Sequence, residues 1–212
     1  MAIRVALRHT TRYTYDRPVT LSPHIVRLRP APHCRTPVQA YSFNVTPRGA
    51  FLNWQQDPFG NYQARLVFPE PSREFCVDVE LIAHLTTINP FDFFLDESAE
   101  TYPFEYDASS KRDLAGYLLP CETGPQFAKL LGKIRRDFLA IRRRTIDVLV
   151  DINQLIQRTL RYDIRMEPGV FSPEETLVRG HGSCRDFAWL LTNVLRALGF
   201  AGHRLRIAAA RD

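Results

Sequence analysis

Gly180 to Leu191 reads GHGSCRDFAWLL. Two glycines and a serine lead into Cys184, and a run with helical period follows. Ser183 is suited to cap a helix whose first residue is Cys184. Asp186 stands three residues after it, the spacing of a capping box with Asp in place of the usual Glu. Phe187, Leu190, Leu191, Val194, Leu195 and Leu198 recur on one helix face, and Gly199 is placed to end the helix. The first N–H groups of a helix lack intrahelical partners, and the helix start carries about half a positive charge. A thiol there is expected to have its pKa below the free value of about 8.5. The same N–H groups could hold the oxyanion of a tetrahedral intermediate, and Gly180 and Gly182 would leave room for a substrate chain. The chemistry on offer is attack by sulfur on a carbonyl carbon. The pattern alone leaves a second reading open, because free cysteine is among the most buried residue types and often acts as a small hydrophobe. Cys34, Cys76 and Cys121 show no comparable setting and are read as packing residues.

The elements that must position this cysteine change character along the chain. Residues 3–85 alternate with period two, as half-buried strands do. Ile3, Val5 and Leu7 share one face of the first run. Tyr41, Phe43 and Val45 do so in a second run, and Phe75, Val77, Val79, Leu81, Ala83 and Leu85 in a third. Asp57-Pro58-Phe59-Gly60-Asn61 is a turn signal between two strand-like runs. Many short strands with proline-rich turns imply an antiparallel β-sandwich over residues 1–90. His9, His24, His33 and His84 are scattered in it without a catalytic pattern. Residues 91–122 lose the alternation and read as a connector pinned by Phe91, Phe93 and Phe94. From 123 onward the period is helical. Phe127, Leu130, Leu131, Ile134, Phe138 and Ile141 form one stripe, and Leu149, Ile152, Leu155, Ile156 and Leu160 form another between Asp147 and Arg161. A loop with Pro168-Gly169 follows, and Ser172-Pro173-Glu174-Glu175 has the form of a helix start.

Composition narrows the function classes. The 212 residues carry 28 Lys and Arg against 23 Asp and Glu, a net charge of +5, and 45% are hydrophobic. This is an ordinary globular balance, without the basic face, interleaved aromatics or motif of a nucleic-acid binder. The arginine cluster at Arg135, Arg136, Arg142, Arg143 and Arg144 reads as a solvated helix face. No run approaches the roughly 18 apolar residues of a membrane span, and the N-terminus lacks a signal core, so a cytoplasmic location is expected. The cysteines are spaced 42, 45 and 63 residues apart, which suits separate thiols in a reducing compartment rather than a disulfide framework or a metal site.

MEPGVFSPEETLVRGHGSCRDFAWLLTNVLRALGF resembles the nucleophile region of the bacterial transglutaminase-like family, within the transglutaminase/protease-like superfamily. The shared pattern is a Pro-Gly loop, PEETL, then Gly-Ser-Cys-Arg-Asp-Phe-Ala and an amphipathic helix. HTTRYTYDRPVTLSPHIVRLRP, DPFGN and NPFDFFLD resemble the β-rich region that precedes that core. The resemblance implies an α+β fold, with an N-terminal β-sandwich and a papain-like core of which the part present is mainly helical. It implies a Cys-His-Asp triad with Cys184 as nucleophile, acyl transfer through a thioester, and a protein or peptide substrate offering a glutamine side chain or peptide amide. Supporting or oxyanion roles fall to Tyr162 and Arg185, and Phe187 and Trp189 match packing positions. No cofactor or metal is implied.

The family places its histidine and aspartate some tens of residues beyond the cysteine, whereas 28 residues follow Cys184 here. His203 is the one histidine after it, and Asp212 is the last residue. The expectation is therefore a core truncated after the cysteine helix and inactive by itself, since the leaving group would lack a proton donor. An incomplete core would leave the apolar stripe of that helix poorly covered and favour oligomers. The competing function is a non-catalytic protein-interaction module that retains a relic cysteine.

Overall fold

The alternating N-terminal runs become six strands in a computed structural model that describes residues 3–32, 34, 36–58, 60–87, 89, 93–121, 124–165, 167 and 169–202. They are β1 (Ile3–Val19), β2 (His24–Val26), β3 (Val38–Thr46), β4 (Phe51–Gln56), β5 (Tyr62–Val67) and β6 (Ser72–Leu85). Two antiparallel three-stranded sheets result, ordered β1-β6-β3 and β2-β5-β4. Phe75, Val77 and Val79 of β6 meet Leu66 of β5 in one core, with Tyr41, Phe43 and Val45 of β3 packed against it. The Trp54 ring of β4 lies edge-on to Phe43 at 5.2 Å. This is a β-sandwich closed by the faces that period two makes apolar. The opposite face of the long sheet is ionic, with Arg8 on Asp78 at 2.8 Å and Arg12 on Glu74 at 3.1 Å.

The expected apolar face is covered over only part of its length. Ile3 and Leu7 are 64% and 50% exposed, and Leu85 is 46% exposed. The cause is strand length: β1 and β6 have 17 and 14 residues, whereas β2, β5 and β4 have 3, 6 and 6. The long sheet overhangs the short one. The turn between β4 and β5 is closed by Asp57, which accepts from the Asn61 backbone N–H at 2.9 Å, and by Gly60 at φ +77°. Phe59 and His33 lie outside the described residues.

The described residues from 93 to 202 belong to a second unit. After a 3₁₀ turn at Glu97–Ala99 come β7 (Thr101–Tyr102), α1 (Ala108–Asp113), α2 (Ala115–Leu118), α3 (Pro125–Phe138), β8 (Arg143–Arg144), α4 (Thr145–Thr159), β9 (Arg161–Tyr162), α5 (Pro173–Arg179), β10 (His181–Gly182) and α6 (Cys184–Ala197). Its core joins Phe127 and Ile134 of α3, Val148 and Ile152 of α4, and Leu190 and Val194 of α6, all fully buried. The stripe of α6, expected to be poorly covered, is packed instead, and part of the cover comes from the aperiodic segment. Tyr102 stacks on Phe200 at 5.0 Å and donates to the Leu198 carbonyl at 2.8 Å, and Phe104 meets Phe200 edge-on at 5.7 Å. The expected anchors differ: Phe93 is 41% exposed, Phe94 is fully exposed, and Phe91 lies outside the described residues. Ile141 is also off the core, at 72% exposure, because α3 stops at Phe138. No helix among the described residues is long and apolar enough to cross a membrane.

Candidate active site

The approach to Cys184 is built by short-range rules. Ser172 accepts from the Glu175 N–H at 3.1 Å and Pro173 occupies the first turn of α5. Gly180 ends that helix at φ +68°, a backbone conformation that suits glycine. The chain then runs as β10 alongside β9 in a parallel pair. Arg161 N–H donates to the Gly180 carbonyl at 3.0 Å, and Asp163 N–H to the Gly182 carbonyl at 2.9 Å. These bonds deliver Ser183 to the cap position and Cys184 to the first position of α6. Cys184 is exposed, whereas Ser183 and Asp186 are buried. Cys34 is exposed as well, Cys121 is half-buried and Cys76 buried, so only Cys76 fits the packing role expected of all three.

Around the cysteine the amides divide into used and unused. Asp186 and Phe187 N–H both donate to the Ser183 carbonyl at 3.0 Å. Among the described residues, no acceptor meets the backbone N–H of Cys184 or Arg185. The Ser183 hydroxyl does not reach for them. It donates to Asp186 Oδ2 at 2.8 Å, as does the Ser183 N–H. The expected capping box of Ser183 and Asp186 is formed, and among the described residues the N–H groups of Cys184 and Arg185 remain free donors beside the sulfur.

Asp186 is fully buried and organises more than its own helix. Its Oδ1 accepts from Arg165 Nη2 at 3.0 Å and from the Phe171 N–H at 2.9 Å. Burial works to raise its pKa, but the bonds from Arg165, Ser183 and Phe171 together hold it down at about 2. The Arg165 guanidinium lies 3.9 Å from the Phe171 ring centre and also donates to the Gly169 carbonyl. Arg185 Nη2 donates to the carbonyls of Arg165 and Glu167, at 3.1 and 3.0 Å. The two residues after the nucleophile position thus strap the 165–171 loop to the first turn of α6. Pro168 of that loop lies outside the described residues. Gly182 also serves Asp186: a Cβ there would sit 2.9 Å from Asp186 Cβ. The glycine makes room for the Asp186 side chain.

Tyr162 is 58% exposed on β9 and meets Phe187 edge-on at 6.3 Å, one helical turn from Cys184. Ile164 continues the apolar surface at 78% exposure. His181 was not singled out by pattern, although it lies in the same short stretch. Its Nδ1 approaches Asp163 Oδ2 at 3.4 Å and has no aligned hydrogen bond. Arg165 carried no sequence signal, since its partner lies 21 residues away. His203 and Asp212 are outside the described residues. Among the described residues, no cluster of three or more His, Cys, Asp or Glu could hold a metal.

Residues 5–84 match the bacterial transglutaminase-like N-terminal region, and residues 136–203 match the transglutaminase-like superfamily core. In both regions the chain is similar to bacterial transglutaminase-like proteins. Cys184, the strap and β9–β10 all fall within the span matched by the transglutaminase-like core. A crystal structure of a "putative cysteine protease" from Cytophaga hutchinsonii has a similar fold, with a TM-score of 0.62 over 93% of this chain at 20% identity. The transglutaminase-like chain spans 64% of the length of that protein. No curated protein matches it.

Proposed function

We propose that Cys184 is the nucleophile of a cysteine-dependent acyl transfer. The observation that carries this is an exposed sulfur at the first position of α6 beside two backbone N–H groups without acceptors. In the step envisaged, Sγ bonds to the carbonyl carbon of a glutamine carboxamide or peptide amide, and the N–H groups of Cys184 and Arg185 receive the oxyanion. Collapse breaks the C–N bond, the nitrogen leaves with the thiol proton as ammonia or an amine, and a thioester remains. Water or a second amine then takes the acyl group.

Amide turnover also needs a group that moves this proton. Among the described residues no histidine follows α6, and His181 with Asp163 is the one histidine–carboxylate pair of this unit. An activated ester separates the two requirements, because p-nitrophenolate leaves without a proton. With p-nitrophenyl acetate the expected result is a burst of about one equivalent of nitrophenolate and an acetyl group on the peptide containing Cys184. Cys184→Ala should abolish the burst. Cys34 is exposed too and is the internal control. Acylation of Cys34 as fast as Cys184 would overturn the proposal and leave the interaction module as the better account.

A further inference from the structure

The arginine cluster where α3 turns into α4 is a solvated helix face only in part. Residues 129–144 hold seven Lys and Arg against one Asp, a net charge of +6, whereas the whole chain carries +5. Lys129, Lys133, Arg135 and Arg136 lie on α3, but Arg142 is in the link and Arg143 and Arg144 form β8. Two of the seven are neutralised, Lys133 by Asp137 at 2.6 Å and Arg143 by Asp151 at 2.7 Å. Among the described residues, Lys129, Arg135, Arg136, Arg142 and Arg144 are exposed and have no ion pair. The acids beside them are Asp147, in the first turn of α4, and Glu100, whose carbonyl accepts from the Thr145 N–H at 2.9 Å. With these two, Asp137 and Asp151 counted, cations still outnumber acids by seven to four.

Fold stability accounts for some of this charge. Arg135 and Arg136 stand in the last turn of α3, where the helix dipole favours cations. Arg142 and Arg144 instead precede the first turn of α4, the positive end, where the dipole disfavours them. Arg144 occupies the cap position without a side-chain hydrogen bond to the helix. Unpaired cations held where folding gains nothing from them are free to meet an external anion. Ile141, the residue before Arg142, is 72% exposed and adds an apolar side chain among the charges. We propose that this face docks an acidic segment of a partner protein that carries an apolar residue among its carboxylates. Arginine forks pair with carboxylates two donors at a time, and the apolar residue meets Ile141. A lipid interface is held by a broad apolar helix face, and the outward positions of α3 are Lys129, Lys133 and Arg136 instead. Nothing in this docking requires the Cys184 sulfur.

Fluorescence anisotropy of a labelled heptapeptide, with leucine between two runs of three glutamates, tests this on the full chain. At low salt this peptide is expected to bind at least about tenfold more tightly than its counterpart with glutamine in place of glutamate, and to lose most of that advantage at about 0.5 M salt. Replacing its leucine with serine should weaken binding about threefold, and Ile141→Ser should remove that difference. The double variant Arg142→Gln, Arg144→Gln should lower affinity about fivefold. Arg17 and Arg48 are exposed in the first unit and, among the described residues, have no ion pair. Arg17→Gln, Arg48→Gln changes the net charge equally and should leave affinity within about twofold. Equal losses in the two double variants would show attraction to net charge alone and overturn the proposal. Equal affinity for the glutamate and glutamine peptides would do the same. Phosphatidylserine vesicles that retain the chain through Arg142 and Arg144, while the peptide fails to bind, would overturn it in favour of a lipid surface.

Discussion

Asp186 shows how one side chain can serve structure and site together. Its carboxylate is the common acceptor for donors from Ser183, Arg165 and Phe171, and Arg165 is itself only 11% exposed. Replacing it by Asn would leave that guanidinium buried without its counter-charge and would point amide hydrogens at existing donors. Asp186→Asn is expected to cost about 3 kcal/mol in urea denaturation at pH 7. The same residue sets an acid limit. Its folded-state pKa, about 2, lies below the ordinary carboxylate value, so the folded state releases this proton more readily. Its contribution is therefore fully present above about pH 4 and is lost as pH falls toward 2, a change of about 2 kcal/mol. Urea midpoints measured between pH 5 and 2 should show that loss in the parent chain and a flatter profile in Asp186→Asn. Equal slopes would mean that the strap is not what holds the carboxylate ionised.

Among the elements, α3 shows a contact that no local pattern announces. Its cap residue is Gly124, which has no side chain to accept from the first amides. Glu174 of α5 does so instead, with Oε1 on the Gln126 N–H at 3.0 Å and Oε2 on the Phe127 N–H at 2.8 Å. A Cβ on residue 124 would lie 2.3 Å from Glu174 Cδ, so the glycine is what admits the carboxylate. Glu174→Ala and Gly124→Ala are each expected to cost about 1 kcal/mol by removing the same cap. The double variant should cost little more than either alone, which thermal unfolding of the four proteins would check. Full additivity would count against the shared cap. This contact also marks where sequence stops being informative. The α6 stripe, the Ser183–Asp186 spacing, the Ser172 start and the Asp57–Asn61 turn were legible because partners lie within four residues and periodicity reports an apolar face. Glu174 to α3 and Arg165 to Asp186 span tens of residues, and neither leaves a periodic trace. Period two also identified the inner face of β1 and β6 without reporting that the opposing strands are too short to cover Ile3 and Leu7.

At the scale of the whole molecule, the chain holds two hydrophobic cores with no residue in common. Leu66, Phe75, Val77 and Val79 belong to the first and Phe127, Ile152, Leu190 and Val194 to the second. The proposed chemistry belongs to the second alone. Leu66 and Leu190 are both fully buried, so truncating either to alanine removes transfer energy and leaves a cavity, for about 2–4 kcal/mol each. The two losses should be read by different probes. In Leu66→Ala, amide hydrogen exchange should accelerate in β5 and β6. In Leu190→Ala it should accelerate in α6 and α4, and the nitrophenolate burst should fall with it, because Leu190 anchors the helix whose first residue is Cys184. Hydrogen exchange resolved by fragment, run beside the burst assay, distinguishes these outcomes. A Leu190→Ala chain that lost protection in α6 and kept an unchanged burst would separate the sulfur's reactivity from the helix. That result would remove the physical basis for placing the oxyanion donors there, since those donors exist only while the first turn of α6 is formed.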